Sequence, residues 1–125
     1  MAGLKLLLVD DEPLALERLA LLLGQMPDVE VRGTARNGVE ASAFIAENEV
    51  DAVIVDIEMP RMSGVAFAEA CREKSPQVVF VTAFDKYAVT AFDLQATDYL
   101  LKPVQPTRLR AALDRVRRLQ ATRQV

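Results

Sequence analysis

Apolar residues fall along this chain in two alternating rhythms: short unbroken or alternating runs of strand length, and longer stretches in which they recur every three or four positions. The run Leu4–Val9 reads as a buried strand. Pro13 behind it suits the first turn of a helix, where a missing N–H goes unused. Leu16, Leu19, Ala20 and Leu23 then recur at helical spacing until Gly24 offers a stop. DVEVRGTA (28–35) alternates and reads as a strand nearer a sheet edge, and NGVEASAFIAEN (37–48) as a helix turning Ala41, Phe44 and Ile45 inward. The apolar run 52–55 implies a strand covered on both faces, and Asp56 closes it. A helix over 65–74, a buried strand in SPQVVFVTA ending near Thr82, a short helix over 86–92 and a strand over 96–101 follow. In the last helix Leu109, Ala112, Leu113 and Val116 recur at helical spacing, with Pro106 near its start.

Five strands alternating with five helices are the signature of βα units, so the expected fold is α/β, an open doubly wound parallel sheet with helices on both faces. Such sheets bind ligands beyond the carboxyl ends of their strands. Asp10, Asp11, Asp56, Thr82 and Lys102 all fall there and are expected to share one crevice.

Composition narrows the chemistry. At 125 residues, 51% hydrophobic and 26% charged, the chain fits one domain with a sizeable core. No apolar run approaches the roughly 18–20 residues that span a bilayer, and the amino-terminal segment meets acids where a secretory signal would place small residues. A cytoplasmic location with no membrane partner is the expectation. The absence of histidine excludes histidine-based metal sites, triads and acid–base pairs. The single cysteine, Cys71, has no second cysteine to bridge. It is expected to pack in the core on a helical face with Phe67 and Ala70. The formal charge of −3 hides an asymmetry: six arginines from Arg108 onward face only Asp114, so the rest of the chain is strongly acidic. With no aromatic residues interleaved, the basic end reads as a solvated helix whose cations suit its C-terminus, in preference to a nucleic-acid patch.

What remains is carboxylate, hydroxyl and lysine chemistry. Asp56 lies 46 residues beyond Asp10, and Lys102 another 46 beyond Asp56, so only the fold can unite them. Carboxylates crowded in one crevice must take up protons or be neutralised by cations. Lys102 is one cation, and a hard divalent ion such as Mg2+ suits an oxygen-only donor set. Asp10 and Asp11 then form a metal cradle beside Asp56, a carboxylate able to attack phosphorus and form an acyl phosphate. Mg2+, Lys102 and Thr82 are the kinds of group that neutralise phosphoryl oxygens.

The segments VDDEP, VDIEMPRMSG, VFVTAF and DYLLKP, in this order and spacing, resemble the signature segments of response regulator receiver domains of two-component systems. The resemblance spans essentially the whole chain and implies a flavodoxin-like sheet of order 2-1-3-4-5. By it, Asp56 is the phosphoacceptor charged by a sensor histidine kinase, while Asp10, Asp11, Asp56 and the main-chain carbonyl of Glu58 hold Mg2+. Thr82 and Lys102 contact the phosphoryl group, and Tyr99 is the aromatic that changes rotamer with Thr82. It also implies a cis peptide between Lys102 and Pro103. The segment TAFDKYAVTAFDLQATDYLLKPV is similar, more narrowly, to receivers of LytTR-type transcriptional regulators, whose DNA-binding domain is separate and C-terminal. Residues 1–120 are expected to form the receiver, and 121–125 the start of a linker or a disordered tail.

Each residue also has an ordinary reading. Asp10 and Asp11 suit a helix N-terminus, Asp56 a turn, Thr82 a strand end, and Tyr99 a half-buried strand position. It is the ordered set that favours the receiver. Phe84 and Glu58 are expected to border the crevice and tune the access of water. Tyr87, Ala88 and Val89 are expected to present apolar area on the face formed by the fourth helix, fifth strand and fifth helix, where a second copy or an effector would dock. Two rivals are a Mg2+-dependent phosphatase or phosphotransferase working through an aspartyl phosphate, and a receiver-like interaction module that is never phosphorylated.

Overall fold

The computed structural model describes residues 3–71 and 76–123. Strands β1 (Leu4–Val9), β2 (Val29–Ala35), β3 (Ala52–Asp56), β4 (Gln77–Thr82) and β5 (Asp98–Leu101) form one parallel sheet in the order β2-β1-β3-β4-β5. Helices α1 (Pro13–Leu23), α2 (Gly38–Glu47), α3 (Gly64–Ala70), α4 (Ala88–Asp93) and α5 (Pro106–Arg123) alternate with the strands, and a single 3-10 turn, Asp85–Tyr87, precedes α4. This is the expected flavodoxin-like α/β arrangement. Residues 121–123, where a linker was expected to begin, are still helical; 124–125 and the expected end of the third helix at 72–74 lie outside the described residues.

Because successive strand residues point to opposite faces, the sheet divides the core in two. Leu6, Leu8, Ile54, Val79, Val81 and Leu100 pack under α1 and α5 with Leu19, Leu23, Leu109 and Leu113. Leu7, Val9, Val53, Val55, Val78 and Phe80 pack under α2, α3 and α4 with Ala41, Phe67 and Ala91. The unbroken apolar runs of β1, β3 and β4 are thus explained by burial on both faces, and the alternation of β2 by its place at the edge.

Local chemistry sets the helix starts. Pro13 stands in the first turn of α1. In α2 the Asn37 side chain accepts from the Glu40 N–H at 3.0 Å while the Glu40 carboxylate accepts from the Arg36 N–H at 3.0 Å, a reciprocal cap. In α3 the Ser63 hydroxyl accepts from the Ala66 N–H at 3.1 Å.

Three sequence expectations shift. Ala20 and Ala70 are exposed; the buried face with Cys71 is Phe67 and Ala68, which lie within about 100° of one another around the helix axis, while Ala70 falls on the other side of Phe67. The fourth helix begins as the 3-10 turn. The last strand is shorter than 96–101: it begins at Asp98, after Gln95 takes a left-handed φ of 58° and Thr97 donates its hydroxyl to Gln77 at 2.7 Å.

One glycine positions the site directly. A Cβ on Gly64 would lie 2.2 Å from the main-chain oxygen of Asp56 and 2.9 Å from the Cα of Ile57, so α3 starts against the end of β3 only because residue 64 has no side chain. Gly64→Ala is expected to cost about 1–3 kcal/mol through forced displacement of backbone. This would be read as a lower urea midpoint at unchanged slope. A wild-type midpoint would show that α3 yields freely.

Candidate functional site

Sheet register assembles the crevice. Val9 pairs with Val55, so the next residues, Asp10 and Asp56, end neighbouring strands side by side. Asp56 pairs with Val81, one residue before Thr82, and Thr82 pairs with Leu101, one residue before Lys102. The Lys102 N–H donates to the Thr82 carbonyl at 2.8 Å, and the Lys102–Pro103 peptide is cis, as the sequence resemblance implies.

Asp10, Asp11 and Asp56 each bring a carboxylate oxygen to within 4.8 Å of the others. Asp10 and Asp56 are buried, and Asp11 is exposed at the mouth. The Lys102 ammonium reaches into this cluster, 2.9 Å from Asp10, 3.2 Å from Glu12 and 3.4 Å from Asp56. One ammonium therefore serves three carboxylates, with Asp11 beside them. The ordinary reading of Asp10 as a helix cap is only partly met: its carboxylate accepts from the Glu12 N–H at 2.9 Å, but no side chain caps α1.

The charges leave their mark on proton affinity. Burial, then the neighbouring Asp10 carboxylate, raise the Asp56 pKa from 3.8 to about 6, against the pull of Lys102 and a hydrogen bond from the Glu58 N–H. For Lys102, burial acts downward, but the hydrogen bond to Asp10 and the charges of Asp56 and Asp10 outweigh it and hold the ammonium above its ordinary value. A cluster of hard oxygen donors whose charge one ammonium only partly offsets fits a divalent cation such as Mg2+: Asp10, Asp11 and Asp56 are the residues able to hold it.

The switch candidates line the same rim. Thr82 is fully buried, and its hydroxyl oxygen accepts from the Phe84 N–H at 3.2 Å. Tyr99 is half-buried and donates its hydroxyl to the Phe84 carbonyl. Phe84 is exposed, as is Glu58, beside which a cleft of about 590 Å³ opens with Asp11, Glu58 and Tyr87 on its walls. Of the three expected surface residues, Ala88 and Val89 are exposed, Val89 to 72%, whereas Tyr87 is half-buried and gives its hydroxyl to the Glu58 carboxylate. Phe92, 82% exposed, joins the apolar face that the sequence reading built from Tyr87, Ala88 and Val89.

Sequence reasoning missed the place of Glu12 at Lys102 and the grip of Lys86 and Tyr87 on Glu58. Nothing in spacing signals either, since both are contacts between separate loops. The basic end is largely occupied within the chain: Arg108 makes a paired contact with Asp98 at 2.6 and 3.0 Å, and Arg110 one with Asp28 at 2.8 and 3.0 Å. Arg117 also reaches Asp28. These pairings favour the solvated-helix reading.

The model of the family described as response regulator receiver domain matches residues 6–114. The transcriptional regulatory protein BtsR of Salmonella typhi is 45% identical over 115 residues, which cover 91% of this chain and 48% of that protein. The chain thus spans about half the length of the curated relatives it matches. Among solved structures, the response regulatory domain of mrkE from Klebsiella pneumoniae is 34% identical with a TM-score of 0.81, covering 94% of this chain and 96% of that one. The receiver domain of the putative response regulator NarL from Mycobacterium tuberculosis is 30% identical with a TM-score of 0.86, covering 94% and 98%.

Because the folded chain keeps a proton on Asp56 that the unfolded chain releases, the ionised carboxylate costs nothing below about pH 4 and its full amount above about pH 6. The rise corresponds to about 3 kcal/mol, which solvent screening at the open crevice reduces, so Asp56→Asn is expected to stabilise the metal-free protein at pH 7 by about 2 kcal/mol. The gain should fade on acidification to pH 4 and shrink when Mg2+ is added. Urea unfolding across that range checks it, and an equal gain at pH 4 and pH 7 would contradict it.

Proposed function

The chain belongs to the response regulator receiver domain family, and on that premise we propose that Asp56 accepts a phosphoryl group from a sensor histidine kinase and that the resulting charge shifts the α4–β5–α5 face. Members of this family are signalling domains that work with histidine kinases and generally bind Mg2+ at an acidic pocket. The observation that carries the reading is the convergence of Asp56 with Asp10, Asp11 and Lys102 at the strand ends.

In the proposed step an Asp56 carboxylate oxygen forms a bond to phosphorus as the phosphorus–nitrogen bond of the donor phosphohistidine breaks, and the electron pair stays with the imidazole nitrogen. Mg2+, held by Asp10, Asp11, Asp56 and the carbonyl of Glu58, would supply positive charge to the phosphoryl oxygens and favour the ionised, nucleophilic form of Asp56. Lys102, already within 3.4 Å of Asp56, balances the charge that arrives. Thr82 donates its hydroxyl to a phosphoryl oxygen. Movement of Thr82 would pull on the Phe84 N–H bonded to it and so on the carbonyl of Phe84 that receives the Tyr99 hydroxyl.

A phosphoryl group can shift an equilibrium only by what it contributes differently to two states, and here those contributions are the new contacts to Thr82 and Lys102. The readout we propose is pairing of two copies, or engagement of an effector, through Ala88, Val89 and Phe92 with the adjoining strand. Exposure of Val89 and Phe92, with Leu101 on the neighbouring strand, supports it. Residues 1–120 would act as the receiver and 121–125 as the lead to an output domain carried outside these 125 residues. Control of transcription is the proposed output, supported by the name of the relative, transcriptional regulatory protein BtsR, and by its greater length; that the output domain is a LytTR-type DNA-binding domain rests on the sequence resemblance of residues 82–104 alone. A cytoplasmic location follows from this role; no helix among the described residues is long and apolar enough to cross a membrane.

Incubation with acetyl phosphate and Mg2+ is expected to add a single phosphoryl group per chain, seen by intact mass, and Asp56→Asn is expected to take none. Continuous release of phosphate at high rate would favour the phosphatase reading, and absence of any adduct the unphosphorylated-module reading. Beryllofluoride with Mg2+ is expected to raise the association state of the chain in sedimentation; a monomer with unchanged α4 would remove the proposed face.

A further inference from the structure

Glu58 is gripped from two sides. Its main-chain N–H donates to the Asp56 carboxylate, while its own carboxylate accepts the hydroxyl of Tyr87 and lies 3.7 Å from the Lys86 ammonium. Tyr87 and Lys86 belong to the 3-10 turn that starts α4, 29 positions along the chain from Glu58 in the case of Tyr87. That turn is internally braced. The Lys86 ammonium sits 5.2 Å from the Phe84 ring centre and 5.1 Å from that of Tyr87, and the two rings meet edge to face at 6.5 Å. The two partners of Glu58 are unequal. Lys86 is 64% exposed, and an ion pair so open to water is weak and screened, whereas the phenol makes a directional hydrogen bond to a charged acceptor.

We propose that Tyr87 is a positioning residue that, through Glu58, couples the occupancy of the acidic cluster to the first turn of α4. The inference rests on the reading of the cluster as the Mg2+ and phosphoryl site, and it adds a connection that does not pass through Thr82. The side chain of Glu58 anchors the same residue whose N–H bonds to Asp56, so a shift of the residue-58 backbone on filling of the cluster is passed to the Tyr87 hydroxyl and the turn that carries it. Coupling of this kind is reciprocal. Loosening the turn must therefore weaken what the cluster holds, because the loop after β3 then has to be ordered at the moment of binding. It also explains why Tyr87 is half-buried while its neighbours Ala88 and Val89 are exposed: Tyr87 serves the site, and they serve the outer face.

The test is hydrogen exchange of the segment 85–93 with and without Mg2+, together with calorimetric Mg2+ affinity, on the whole chain. In the wild type, Mg2+ is expected to change exchange in that segment. Tyr87→Phe should keep the wild-type urea midpoint, lose that change, and bind Mg2+ roughly 5-fold more weakly. Lys86→Met should alter affinity less than about twofold. Glu58→Gln, which still accepts from the phenol, should retain the coupling; Glu58→Ala should lose it, and adding Tyr87→Phe should weaken binding no further. Wild-type Mg2+ affinity and exchange response in Tyr87→Phe would overturn the assignment. The wild type's adduct from acetyl phosphate separates the two failures: no adduct overturns the reading of Asp56, whereas an adduct with an inert Tyr87→Phe overturns the role of Tyr87 alone.

Discussion

Mutual repulsion of Asp10, Asp11 and Asp56 is the constraint around which this protein is arranged. Two like charges 4–5 Å apart repel by roughly 3–4 kcal/mol at an effective dielectric near 20, and three such oxygens lie within 4.8 Å of one another here. An uncharged residue in place of Asp56 would relieve the fold. Keeping all three stores an affinity for positive charge that Lys102 alone does not satisfy. The raised pKa of Asp56 is the same fact seen in proton binding, with burial as its larger cause and Asp10 as the second.

Holding the charges together falls to the sheet. The hydrogen-bonded registers of β1 with β3, β3 with β4 and β4 with β5 leave little freedom in where the strand ends lie, and both faces are locked by packed apolar layers. Rigid strands thus carry Asp10, Asp56 and Thr82, while the loops beyond them carry Glu58, Phe84 and the 3-10 turn. Such a division suits a switch: the charges stay where they are, and the segments with fewer buried contacts are the ones free to respond.

The loop after β4 is the junction where responses meet. Its Phe84 bonds to Thr82 through the N–H and to Tyr99 through the carbonyl, and the turn behind it reaches Glu58 through Tyr87. Three strand ends therefore act on one short segment, whose continuation, α4, bears the exposed Val89 and Phe92. Arg108 of α5 is tied to Asp98, and Arg110 and Arg117 to Asp28, fixing the helix over the sheet beside that face.

Local pattern was enough for the element order, the central place of the unbroken strands and the gathering of acids at strand ends, because burial on one or two faces writes its period directly into the sequence. It also carried the signature segments from which the family was recognisable. It misjudged Ala20 and Ala70, which fit a helical period yet face water, since period alone does not say how wide a face its neighbour covers. The bounds of the fifth strand escaped it too, since the left-handed turn at Gln95 and the buried bond from Thr97 to Gln77, 20 residues away, leave no period in the sequence. The sharing of Lys102 among Asp10, Glu12 and Asp56, the close approach that requires Gly64, and the hold of Tyr87 on Glu58 were decided only in three dimensions. Each depends on distances between separate loops and strands, and a chain's local periodicity holds no record of those.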